Sequence, residues 1–140
     1  MNCKSLFLTT ILMLSCFITL SQELTNEAKI VDVYGQEWVD ARKLDQADFL
    51  LLMDKYISYG FMVKDVSEGK YQEVEQMEFI PLASKTEQFV TVGEFLTDFE
   101  NQNFNPLHYK FFPTEDAQMI KLKGVDKIIY ILPQSSILLK

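Results

Sequence analysis

A chain of 140 residues leaves room for one domain and not two, and a net charge of −7 with Arg42 as the only arginine argues against nucleic acid or an anionic membrane surface as partner. The two cysteines, Cys3 and Cys16, both lie in the first 21 residues. Once those residues are removed, disulfides, thiolate catalysis and Cys-based metal sites are excluded together.

The first 21 residues read as a signal peptide. Lys4 supplies the positive charge, and the apolar run over 6–20 is interrupted only by Thr9, Thr10, Ser15 and Thr19. About 15 such residues fall short of the roughly 20 that span a bilayer as a helix. Small side chains at Thr19 and Ser21 place the cut between Ser21 and Gln22. A second processing route runs through Met13-Leu14-Ser15-Cys16, a loose lipobox that would lipidate Cys16 and anchor the protein to a membrane. Phe17, Ile18 and Leu20 continue the apolar run past that cysteine, which favours the Ser21 cut. The expected organisation is a signal peptide over 1–21 and one α+β domain over 22–140. All 20 acidic residues lie in that domain and Lys4 does not, so its charge becomes −8. The expected location is the periplasm, the outer envelope or the outside of a bacterial cell, with a membrane as partner only if Cys16 is lipidated.

In chain order, residues 22–28 are a polar lead. Ile30-Val31-Asp32-Val33-Tyr34 and Glu37-Trp38-Val39-Asp40-Ala41 flank Gly35-Gln36 and predict a β-hairpin. Asp45 then reads as a helix N-cap, with Leu44 and Phe49 as a hydrophobic staple and Gly60 as a left-handed terminator, which predicts a helix over 46–59. Strands are expected over 61–66 and 71–80, joined by a turn at 67–70 and stopped by Pro81. Thr91-Val92-Gly93-Glu94 is a capping box, and Val92, Phe95, Leu96 and Phe99 follow at the spacing of an amphipathic helix. The last third predicts strands over 107–112, 118–123 and 127–132, with a short terminal strand over 137–139. The expected architecture is an antiparallel sheet of about six to eight strands, in the order ββαββαβββ, with two helices on one face.

Little in the chain carries chemistry. His108 is the only histidine, so any triad or imidazole base must use it, and no nucleophile-elbow sequence accompanies it. Glu73 and Glu75, two apart on a strand, would stand about 6.6 Å apart on one face, near the separation of glycosidase carboxylates. Any Glu-x-Glu strand meets that condition, and charged residues also protect edge strands. No calcium loop, phosphate loop or dinucleotide fingerprint is present. No cofactor, metal or catalytic residue is therefore expected. The densest unusual stretch, residues 103–113, offers Asn105, His108 and Tyr109 as weak candidates for a ligand site, and Trp38 joins them. The competing reading of all four is packing.

The expected function is an exported, non-enzymatic binding module for a protein, peptide or glycan. Two alternatives stand beside it: a small cofactor-independent hydrolase using Glu73/Glu75 or His108, and an inhibitor or immunity-like protein for a cationic partner, which follows from the −8 charge.

Overall fold

The computed structural model describes residues 23–67, 71, 73–84 and 86–140. The signal peptide expected over 1–21, with the expected cut at Ser21/Gln22 and the alternative at Cys16, lies outside the described residues, as do three positions of the turn expected at 67–70.

Helix, not hairpin, forms over the first apolar stretch. Helix α1 spans Glu27–Tyr34 and α2 spans Gln36–Asp45, with Gly35 between them. Gly35 is the joint because φ 87 and ψ 154 is a backbone conformation that essentially only glycine adopts. Its N–H closes α1 on Val31 O, and its carbonyl accepts from Val39 N to open α2. The β-branched residues of α1 prefer strand locally, and a distant contact overrides them. Asp54 Oδ1 accepts the Asn26 backbone N–H at 2.6 Å, and the Asn26 amide donates to Asp54 O at 3.1 Å and Ser58 Oγ at 2.8 Å. A nearly buried carboxylate thus caps the positive end of α1 from 28 residues away. The residues expected to be a loose lead end in this clamp.

Helix α3 runs Ala47–Lys55 and continues as a π turn over Tyr56–Gly60. Gln46 stands at its N-cap position without a side-chain bond, while Asp45 closes α2 and Leu44 is 91% exposed. The expected Asp45 cap and Leu44/Phe49 staple are therefore not formed. Two successive helices, not one entered from a strand, meet here. Gly60 is also not left-handed. An added Cβ would stand 2.8 Å from Ile137 Cδ1 and 2.9 Å from Tyr56 Cδ2, so close approach is what glycine permits.

The strands are β1 Phe61–Asp65, β2 Gln76–Met77, β3 Phe79–Pro81, β4 Phe89–Thr91, β5 Gln118–Leu122 and β6 Lys127–Ile131. They form a four-stranded sheet in the order β1-β6-β5-β2 and a separate β3-β4 pair. All neighbours are antiparallel except β2 and β5, which run parallel. The class is α+β, with fewer strands and more helices than ββαββαβββ implies. The long strand expected over 71–80 breaks because Tyr71 and Glu73 lie in a turn, with Val74 N donating to Tyr71 O, and because the chain changes sheet at Glu78.

The capping box forms as expected at the start of helix α4, Val92–Phe99: Glu94 N donates to Thr91 Oγ1, and Thr91 N donates to Glu94 Oε2 at 2.7 Å. Those bonds from Thr91 hold the Glu94 carboxyl below the usual carboxylate range. Residues 107–112 do not form a strand. Pro106–His108 is a 3-10 turn, and one bridge from Tyr109 to Leu82 follows it. The chain ends in helix α5, Gln134–Leu138, rather than a strand. Tyr59 OH donates to Ile137 O at 2.9 Å and Lys55 Nζ to Leu138 O at 3.3 Å, a cation at the negative end of the helix.

The core lies between the helices and one face of the larger sheet, where Phe61, Ile120, Leu122, Ile129 and Ile131 meet Leu50, Met53, Tyr56, Phe95 and Ile137. By strand alternation and register, Met62, Lys64, Met119, Lys121, Ile128 and Tyr130 occupy the other face. Lys64 Nζ lies 4.4 Å from the Tyr130 ring there.

Candidate functional site

Three of the four residues singled out in the sequence are fasteners. Asn105 is 2% exposed; its amide donates to Lys29 O at 2.8 Å and its Oδ1 accepts from Leu107 N at 3.2 Å. Lys29 Nζ returns a bond to Phe104 O at 2.7 Å, and His108 Nε2 lies 2.8 Å from Asp32 Oδ2. The stretch 104–108 is thereby tied to one side of α1 at Lys29 and Asp32, residues three apart and therefore adjacent on the helix. Tyr109 turns the other way and donates to Asp98 Oδ2 of α4 at 2.6 Å. Burial, then the neighbouring Asp98 carboxylate, pushes the Tyr109 hydroxyl above its ordinary range. The polar handles that suggested a ligand are used within the chain.

Their environments predict responses to truncation of different size. Asn105→Ala is expected to cost about 1–3 kcal/mol, because the Leu107 N–H is left buried without its acceptor. His108→Ala is expected to change stability by under about 1 kcal/mol, as suits an exposed pair. Urea unfolding of the two variants checks the contrast, and equal losses would contradict it.

His108 and Asp32 are both exposed, and among the described residues the imidazole's side-chain partner is that carboxylate. Glu73 is exposed in a turn and Glu75 in the irregular residue before β2, neither within a strand, so the strand spacing that suggested an acid-base pair does not apply. The Glu75 carbonyl accepts from Lys121 N instead. Among the described residues, no group of three or more His, Cys, Asp or Glu side chains is placed to hold a metal ion, and every buried side-chain N or O has a partner. Among those residues no helix is long and apolar enough to cross a membrane.

Trp38 belongs to a different neighbourhood. Tyr34 stacks against it at 4.5 Å, the Arg42 guanidinium lies 4.9 Å from its ring, and Phe49 meets it edge-on at 6.4 Å. Phe49 in turn packs at 5.7 Å against Phe112, which reaches the buried Tyr56 ring at 5.6 Å. An aromatic row thus rises from the core to the surface, where Tyr34 and Phe49 are 40% and 38% exposed. Beside it, Leu44, Asp45, Gln46, Ala47, Asp48 and Phe49 line an open concavity of about 720 Å³ at the α2–α3 junction. Sequence reasoning missed this surface because it assigned Leu44 and Phe49 to a staple and Asp45 to a cap. The signal available was the cluster of Trp38, Arg42, Leu44 and Phe49 within one short stretch. No protein-family model, no curated protein and no solved structure matches the chain.

Proposed function

We propose that this chain is an exported, non-enzymatic binding module whose contact surface is the α2–α3 junction. One observation carries the reading: exposed Leu44 and Phe49 line an open concavity, and Phe49 belongs to an aromatic row that is rooted in the core and ends at exposed Tyr34. Aromatic rings already held by neighbouring rings, as Phe49 and Tyr34 are, suit recognition, because little of their side-chain freedom is lost when a partner docks. The residues suited to acid-base work lie elsewhere and apart, which weighs against the hydrolase reading. His108 is paired with Asp32, and Glu73 and Glu75 are exposed outside any strand.

The test is affinity capture from envelope extract with the wild-type chain and with Leu44→Glu/Phe49→Glu. The wild type is expected to retain a specific protein, peptide or glycan that the variant loses. Equal recovery by both would remove this surface from the reading. Turnover of ester or glycoside substrates that disappears in His108→Ala would replace it with the hydrolase.

A further inference from the structure

We infer that the concavity over the α2–α3 junction docks a basic segment of a partner protein. A lysine or arginine stem lies along Leu44 and Phe49, and its charged head is directed to Asp45 and Asp48. This rests on the binding-module reading and names the chemistry of the partner.

The lining offers both halves of what a long basic side chain presents. Leu44 and Phe49 supply apolar surface, and Asp45 and Asp48 supply carboxylates in the same concavity. Lysine and arginine bury their methylene stems on apolar surface while holding the charge in a polar setting. Leu44, at 91% exposure, has little contact of its own to lose. The same surface already shows this chemistry within the chain: Arg42 lies over Trp38 and reaches to within 3.9 Å of Asp45 Oδ2. The surplus of acidic residues beyond position 21 would draw a cationic partner toward the domain. The opposing influence is the N-terminus of α3, whose positive end lies in the same stretch and favours carboxylates or an anionic ligand. The experiment therefore sets the two charge signs against each other.

The full chain, labelled with nitrogen-15, is titrated with a short lysine/leucine peptide, its glutamate/leucine counterpart and a chito-oligosaccharide. The lysine/leucine peptide is expected to shift the amides of residues 44–49, more weakly as salt is raised. Its affinity is expected to fall about tenfold in Asp45→Asn/Asp48→Asn, as loss of two exposed charge pairs would give. It is expected to be unchanged in Phe79→Ser/Phe89→Ser, where the removed aromatics are also exposed but lie on the β3-β4 pair. Unshifted amides away from the substituted positions in the free variants show that the fold is intact. Binding of the glutamate peptide or the sugar at 44–49, with the lysine peptide inert, would overturn the basic occupant and leave the binding module standing. Affinity for the lysine peptide that ignores the Asp45/Asp48 variant would overturn the assignment of its charged head. No shift at 44–49 with any probe, together with equal capture by wild type and Leu44→Glu/Phe49→Glu, would remove the surface altogether.

Discussion

Phe95→Ala is expected to destabilise the protein by about 3–5 kcal/mol, the cost of deleting a fully buried ring. Against a total stability of about 5–15 kcal/mol for an ordinary domain, that loss leaves little margin at body temperature. Phe95 has no exposed surface and stands among Phe61, Phe99, Phe104 and Tyr109, with ring centroids 5.1 to 6.4 Å away. Three of these contacts are edge-to-face, the arrangement the ring quadrupoles favour. The cavity left by alanine would close poorly, because Tyr109 is held by Asp98 and the Phe104 carbonyl by Lys29. Guanidinium unfolding should show a lower midpoint at an unchanged slope. A loss under about 1 kcal/mol, typical of surface positions, would mean that these rings do not form the centre of the core.

Gly60→Ala is expected to cost about 1–3 kcal/mol through overpacking, although alanine is ordinarily the better helix former. The added methyl would meet Ile137 Cδ1 at 2.8 Å and Tyr56 Cδ2 at 2.9 Å, distances that real Cβ contacts do not show. Ile137 is the neighbour able to give way, since Tyr56 is fully buried and its hydroxyl donates to Phe111 O at 3.0 Å. Ile137→Ala alone should also destabilise, by about 2–5 kcal/mol. In the double variant the two losses should add to less than their sum, because each change relieves the misfit left by the other. Strict additivity in a double-mutant cycle would show that α5 does not pack against the π turn in this way. An unusually well-tolerated Gly60→Ala would say the same.

Much of the local structure was legible wherever its cause lay within a few residues. The Thr91/Glu94 capping box and the 92–99 stripe specify α4, and the strands expected over 118–123 and 127–132 form as β5 and β6, with Gly124 at positive φ between them. These are short-range causes: a side chain bonding a backbone N–H three residues away, apolar groups recurring on one face, a backbone angle only glycine adopts freely. Ile30 to Tyr34 illustrates where that reasoning ends. Its β-branched composition favours a strand by propensity, but an Asp54 carboxylate 28 residues away and burial of Ile30 make it a helix.

The site follows the same division. The sequence by itself determined the composition from which any site is built: an acidic surplus, one histidine, and both cysteines within the first 21 residues. It also placed Trp38, Arg42, Leu44 and Phe49 close together along the chain. Only the tertiary structure decided that Asn105, His108 and Tyr109 fasten the chain to itself, while Leu44 and Phe49 remain exposed at a concavity. The physical reason is that a polar side chain is neutral evidence until its partner is known. Lys29, Asp32 and Asp98, which engage these three, are 76, 76 and 11 residues distant in sequence and come within bonding distance only when α1 and α4 pack against the core.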